Sequence, residues 1–372
     1  MKIAIVGNSP THAGLATAAD MSLAGHQVRL ARWTEAEADF AAIRAAGGLE
    51  VTGDPGQLVC GRLGKAKPEI LDDLKQAVSG AELVILDFAP ADLEARFEAL
   101  APHLEDGQVV HVNTCAYWSA FRAWPILRKA GKDRVAVTEI IAPTITADVE
   151  GARLATKRLR AKLPVAAMPA ERSDYALDRV AAVHPSLTRA ASVLETSFAN
   201  LNMITHAGIA LVNIGWFDRA KEAGENINFW MDGSTPAAAL LAEAQDRERK
   251  GVSEAYGAAW TSAARHLNNT YGGNGTGFQD AVRGCSFYRS LPKRSPEMWR
   301  RWMTADISMA HVPFSEVARA AGVATPIHDG FIAAFGAVLG ADFRRDGLTL
   351  AKMGLAGASK DALVAYARSG RR

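Results

Sequence analysis

The first residues of this chain leave few folds open. Lys2–Val6 is a short, apolar, β-rich run that stops at Gly7. A run of this kind bounded by glycine predicts a strand buried on both faces of a parallel sheet. An alanine-rich helical stretch follows over 14–24, Gly25-His26 interrupts it, and 27–30 predicts a second strand. Together they make one βαβ unit of about 30 residues. The alternation continues with a helix over 35–46 and a turn-rich region over 47–68 that has room for a pair of short strands. Then come a helix over 71–79, a strand over 83–87, a helix over 93–104, and strands over 108–112 and 135–141. Strands and helices in this order predict an α/β fold with an N-terminal Rossmann-type, doubly wound parallel sheet.

Beyond about residue 190 the texture changes. Segments 190–220, 236–269, 296–323 and 328–339 read as helices with little strand between them. A chain of 372 residues is too long for one ordinary core. The expected division is a dinucleotide-binding domain over 1–185 and a mostly α-helical substrate domain over 186–372. Pro169 and Pro185 suggest a linker near 170–190, and the terminal Arg-Ser-Gly-Arg-Arg reads as a frayed tail.

Composition excludes several classes of function. A net charge of +2 gives no footprint for nucleic acid or an anionic membrane. Cys60, Cys115 and Cys285 are scattered and form no CxxC pair, so neither a disulfide framework nor a metal site is expected. The N-terminus lacks the apolar stretch of a signal peptide, and no run approaches the roughly 18 residues of a membrane span. A cytoplasmic enzyme is the expectation that remains.

The first strand-to-helix turn reads Gly7-Asn8-Ser9-Pro10-Thr11-His12-Ala13-Gly14. A dinucleotide site needs backbone N–H groups at a helix N-terminus and glycines that let the phosphates approach. Gly7 suits the tight turn and Gly14 the close helix–strand contact. Ser9 stands where a middle glycine is usual, and the loop is about two residues longer than GxGxxG. Asn8, Thr11, His12 and Ala13 complete the expected cofactor loop. After the second strand the chain reads Arg32-Trp33, with no acid before Glu35. An acid there would accept the ribose 2′-hydroxyl, whereas Arg32 offers a fork of donors to a 2′-phosphate. The pattern favours NADP(H) over NAD(H), with Arg32 or Trp33 covering the adenine.

In the helical half, Asn202, His206 and Asn213 are spaced by four and seven residues, so they share one face of an otherwise apolar helix. A buried polar stripe needs partners, and histidine suits proton transfer near neutral pH. A structural histidine bonded to a carbonyl is the competing explanation. Asp306 lies in a second apolar segment, after Arg300-Arg301-Trp302-Met303. A carboxylate bonded to an imidazole fixes its tautomer and orientation, but sequence spacing does not bring Asp306 to His206, and an Asp paired with a nearby Arg explains it equally. Trp299, Trp302 and Met303 suit the helix core better than a substrate pocket.

Four stretches carry a resemblance. They are KIAIVG…AGLATAA with GHQVRLARW, the NxxxHAGIALVN helix, Asp246-Arg247-Glu248-Arg249 running to Tyr256-Gly257, and RWMTAD…VPF…AGVATP. In this order, over nearly the whole chain, they resemble the opine dehydrogenase family, which includes octopine and nopaline dehydrogenases. The resemblance implies reductive condensation of an amino acid's amine with an α-keto acid through an imine, with hydride from NAD(P)H. It implies His206 as general acid–base, Asp306 as its partner, Asn202 and Asn213 near the substrate, and Arg301 as a carboxylate clamp. A homodimer is the expected assembly. The chain departs from the family pattern in the glycine loop, in Ile307-Ser308-Met309-Ala310-His311 between Asp306 and Val312-Pro313, and at Asn113-Thr114-Cys115.

Competing readings are a ketopantoate-reductase-like or hydroxyacid dehydrogenase and a non-catalytic NADPH sensor. The former families rely on a lysine in the helical half. Between residues 200 and 300 the lysines are Lys221, Lys250 and Lys293, none of them in an apolar motif.

Overall fold

The computed structural model describes residues 1–33 and 37–371. It divides into two compact units, Met1–Thr196 with Tyr366–Arg371, and Ser197–Ala365.

The first unit is built on an eight-stranded sheet. Its strands are β1 (Lys2–Val6), β2 (Gln27–Ala31), β5 (Glu69–Leu71), β6 (Leu83–Leu86), β7 (Val109–Val112), β8 (Ala136–Ile140), β11 (Pro164–Met168) and β12 (Thr188–Arg189), in the order β12-β11-β8-β7-β6-β1-β2-β5. Strands β5, β2, β1, β6, β7 and β8 are mutually parallel, and β11 runs antiparallel to β8. The central strands are mainly apolar because both of their faces are covered: β6 and β7 are buried at every position, His111 in β7 included. The helices are α1 (Ala13–Leu23), α2 (Glu37–Ala46), α3 (Leu74–Val78), α4 (Leu93–Leu100), α5 (Ser119–Lys129) and α6 (Ser173–Val183). A second sheet, β4-β3-β10-β9, joins β3 (Leu49–Thr52), β4 (Gly64–Ala66), β9 (Ile145–Glu150) and β10 (Arg153–Leu159).

The doubly wound reading is borne out, with local corrections. The helix expected over 71–79 is the shorter α3, and Leu71, its expected first residue, instead closes the strand β5. Glu35, where the second helix was expected to begin, lies outside the described residues. Segment 170–190 is not a linker: Pro169 and Pro185 bracket α6, which packs on β11. Nor is the terminus frayed as far as Gly370. Its carbonyl accepts from Trp124 Nε1 at 2.8 Å and from Arg128 Nη1 at 3.1 Å.

The second unit is helical. Its main elements follow α7 (Val193–Phe198) and are α8 (Asn202–Glu222), α9 (Phe229–Gly233), α10 (Pro236–Ala255), α11 (Ala263–Tyr271), α12 (Phe278–Gly284), α13 (Ser286–Ser290), α14 (Met298–Asp306), α15 (Val312–Ala320), α16 (Pro326–Leu339), α17 (Phe343–Asp346) and the first part of α18 (Lys360–Ser369), whose residues from Tyr366 on belong to the first unit. A π-helical turn, Ile307–His311, joins α14 to α15, so the helix runs on past Asp306 while the backbone bonding shifts register. One core gathers Ala207, Ile209, Phe217, Phe229, Trp299, Met303, Ile307 and Phe335. Gly208 lets α8 and α10 approach closely, since a Cβ there would lie 3.0 Å from the Ala238 carbonyl oxygen. Among the described residues no helix is long and apolar enough to cross a membrane.

Candidate active site

In the helical unit, His206 sits one turn into α8 and Asp306 ends α14. Antiparallel packing of the two helices offsets their hundred-residue separation. His206 Nδ1 lies 2.8 Å from Asp306 Oδ2, the imidazole 12% and the carboxylate 2% exposed. A carboxylate accepts only, so Nδ1 carries the hydrogen of this bond and Nε2 is left to exchange protons. Nε2 makes no hydrogen bond among the described residues. Trp302 stacks on the imidazole at 5.0 Å and 19°, and Trp230 and Phe229 close further sides at 5.7 and 5.9 Å. Trp230 in turn stacks on Tyr288 at 4.8 Å. The expectation for the three α14 side chains therefore divides. Trp299 and Met303 are buried core residues, while Trp302, half-buried, forms a wall of the histidine's pocket.

The other residues expected beside His206 fare differently. Asn202 opens α8, half-buried, one turn before the histidine. Asn213 is tied to backbone instead of being presented to a substrate: its Nδ2 donates to the carbonyls of Ile209 at 2.8 Å and Gly233 at 2.9 Å. That tie holds α9, and with it Phe229 and Trp230, against α8. Arg301 is exposed on α14 and makes no ion pair among the described residues. Trp230 and Phe229 escaped the sequence reading because Asn228-Phe229-Trp230-Met231 looks like any short apolar segment.

In the first unit, β1 is the strand at which connections change sides, and ligands of open α/β sheets bind beyond the carboxyl ends of strands at such a point. The loop from Gly7 to Gly14 lies there. Gly7 has φ +89°, and a Cβ on it would fall 2.4 Å from the Asp87 carbonyl oxygen. A Cβ on Gly14 would fall 2.3 Å from the Gly7 carbonyl oxygen, so both expected glycine roles have a steric basis.

Asp87, one residue past β6, was not singled out from sequence. Its fully buried Oδ2 accepts from Ser9 N–H at 2.8 Å and Gly14 N–H at 2.6 Å. Burial pushes its carboxyl upward, and the bonds from Ser9 and Gly14 pull the other way. The acid closing an apolar strand, Leu-Val-Ile-Leu-Asp, was the signal available. Within the loop, Ser9 Oγ meets Thr11 Oγ1 at 2.8 Å, and Asn8 Nδ2 meets His12 Nδ1 at 3.1 Å. His12 adopts the left-handed conformation at the start of α1.

The residues suit a nicotinamide dinucleotide. α1 begins without a side-chain cap and without an acid in its first turn, and the Ala13 N–H makes no hydrogen bond among the described residues. Asp87 takes the Gly14 N–H of this end, and the Ala13 N–H is left for a phosphate oxygen. Past β2, Arg32 pairs with Asp72 at 3.1 Å, and one face of Trp33 is covered by the Arg96 guanidinium at 4.5 Å. Trp33 therefore offers an adenine at most its other face.

Comparison with known proteins agrees with this geometry. Residues 189–339 match the family model described as NAD/NADP octopine/nopaline dehydrogenase, alpha-helical domain. The chain is 30% identical over 300 residues to the opine dehydrogenase of Arthrobacter sp. (strain 1C), covering 80% of this chain and 82% of that protein. It is 26% identical over 335 residues to the vitopine synthase of Allorhizobium ampelinum, covering 88% of this chain and 87% of the relative. Among solved structures, an octopine dehydrogenase complex with NADH and L-arginine superposes with a TM-score of 0.76 at 20% identity, over 100% of this chain and 98% of that one. The chain belongs to the opine dehydrogenase family, nicotinamide-dependent oxidoreductases acting on CH–NH donors.

Proposed function

We propose that this enzyme condenses the amine of an amino acid with an α-keto acid, using His206 and Asp306 as its acid–base pair and NADP(H) in preference to NAD(H). The observation that carries the reading is the 2.8 Å bond between His206 Nδ1 and Asp306 Oδ2 inside an aromatic enclosure.

The amine nitrogen attacks the keto carbon, and His206 Nε2 takes the proton that nitrogen sheds. The imidazolium, held by Asp306, returns this proton to the alkoxide oxygen, giving the carbinolamine hydroxyl, and after taking a second proton from solvent it protonates that hydroxyl, which leaves as water. The lone pair on nitrogen forms the C=N bond as the C–O bond breaks. When bound, the nicotinamide supplies the hydride that reduces the C=N carbon. Trp302, Trp230 and Phe229 limit water around the imidazole, which protects the imine from hydrolysis. Asn202, one turn before His206 on α8, is read as a substrate-binding residue, and the exposed Arg301 as a clamp that binds a carboxylate bidentately.

The cofactor preference is supported by Arg32 and Arg44, two guanidinium groups gathered beyond the end of β2. No lysine takes the place of His206. Lys221 pairs with Glu297 and Lys250 with Glu254, each on exposed surface, which weakens the hydroxyacid dehydrogenase reading.

The test is cofactor oxidation with a matrix of amino acids against pyruvate, 2-oxoglutarate and glyoxylate, with NADPH and NADH in parallel. Oxidation is expected only where amine and keto acid are both present, and faster with NADPH. Oxidation by a keto acid alone would return the hydroxyacid reading.

A further inference from the structure

In an NAD-selective site of this fold, the acid that reads the ribose stands at the end of the second strand. Here that position is Arg32, and an acid stands one strand away. β2 and β5 are parallel, with Arg29 opposite Glu69, Leu30 opposite Ile70 and Ala31 opposite Leu71. The same register carried one step past both strands sets Asp72 beside Arg32. Arg32 Nε donates to Asp72 Oδ1 at 3.1 Å, and Arg44 Nη2, from α2, donates to Asp72 Oδ2 at 3.0 Å. One carboxylate bridges two guanidinium groups at the place where the fold presents the adenosine ribose.

We propose that Asp72 is a specificity-determining residue for the cofactor, competing with a ribose 2′-phosphate for Arg32 and Arg44. The inference rests on the NADP(H) reading above and names the group that limits that preference. A 2′-phosphate brings acceptor oxygens to guanidinium forks that Asp72 already engages, and it brings negative charge beside a carboxylate. A plain 2′-hydroxyl carries no charge and donates to a carboxylate without penalty. Asp72 therefore opposes the phosphorylated cofactor and favours the unphosphorylated one. The side chains of Arg32, Arg44 and Asp72 are 33%, 51% and 55% exposed, so solvent and salt hold the discrimination to a modest factor.

Calorimetric titration with 2′,5′-ADP and 5′-AMP isolates the ribose end of the cofactor from catalysis. Asp72→Asn is expected to raise the ratio of 2′,5′-ADP to 5′-AMP affinity by about two- to fivefold over wild type, and the gain is expected to shrink as salt rises. Asp72→Ser, which also removes the charge, is expected to move the ratio in the same direction. A ratio that is unchanged or lower in both variants would overturn the proposal, because Asp72 would then only prop the two arginines. The wild-type ratio judges the cofactor reading separately. A wild type that prefers 5′-AMP defeats the NADP(H) preference, while the shift on substitution still decides the role of Asp72.

Discussion

Asp87 takes its part from where β6 ends. Its carboxylate oxygen receives the N–H groups of Ser9 and Gly14, one early in the nucleotide loop and one at its close. A loop about two residues longer than the GxGxxG pattern is thereby pinned at both ends. Asp87→Ala leaves two buried donors without an acceptor, a loss of about 1–3 kcal/mol for each. Denaturant titration is expected to show that loss, with nucleotide affinity down by about tenfold or more, since each 1.4 kcal/mol is a factor of ten. Nucleotide affinity equal to wild type would remove Asp87 from the loop's architecture. At this scale the sequence was informative for Gly7 and Gly14, where the close turn leaves no room for a Cβ. It misjudged Asn213, because a polar residue at helical spacing looks the same whether it faces a substrate or ties down a neighbouring backbone.

Among the elements, legibility followed the strength of the apolar run more than burial, for β11 is buried over 165–168 and still went unread. β1, β6, β7 and β8 were read correctly because each is a mainly apolar, buried run, broken only by Lys2 at the start of β1, His111 in β7 and Thr138 and Glu139 in β8. β9 and β10 went unread. β10, Arg-Leu-Ala-Thr-Lys-Arg-Leu, buries only Leu154, and the second half of β9 is exposed or half-buried. α5 was missed as well, since Pro125 sits inside it. β5 has three residues, Glu-Ile-Leu, too few to show a period, and its last residue was absorbed into the following helix. That error hid Asp72, whose place beside Arg32 exists only once β5 pairs with β2. The His206–Asp306 contact was likewise out of reach of spacing alone. A bond across a hundred residues depends on how α8 packs against α14, and only the family resemblance pointed to it.

Across the whole molecule, both units bury histidines in the neutral form. In the first, His111 bonds Thr138 and His184 bonds Thr144; burial lowers them to about 3 and about 4. In the second, burial lowers His266 to about 4 and carries His311 well below its ordinary value. The unfolded chain binds protons at these sites below about pH 6.5 while the folded chain does not. Their contribution is therefore intact above pH 6.5 and lost as pH falls toward 4. Each contributes a slope of about 1.4 kcal/mol per pH unit, or about 2 kcal/mol between pH 6.5 and 5. Urea titrations at pH 7.5 and pH 5 are expected to show a clear fall in stability on acidification. Equal stability at the two values would contradict the neutral, buried assignment.

The account stands on one bond, His206 Nδ1 to Asp306 Oδ2. Its most direct test is the turnover of His206→Ala with the amine–keto acid pair that wild type uses, alongside calorimetric titration of NADPH. Loss of the acid–base group is expected to lower kcat by about 10²–10⁴. NADPH affinity is expected to stay within about twofold of wild type, because the nucleotide loop is untouched. A variant that binds NADPH normally and turns over at near wild-type rate would contradict the assignment of His206 as the group that moves the proton.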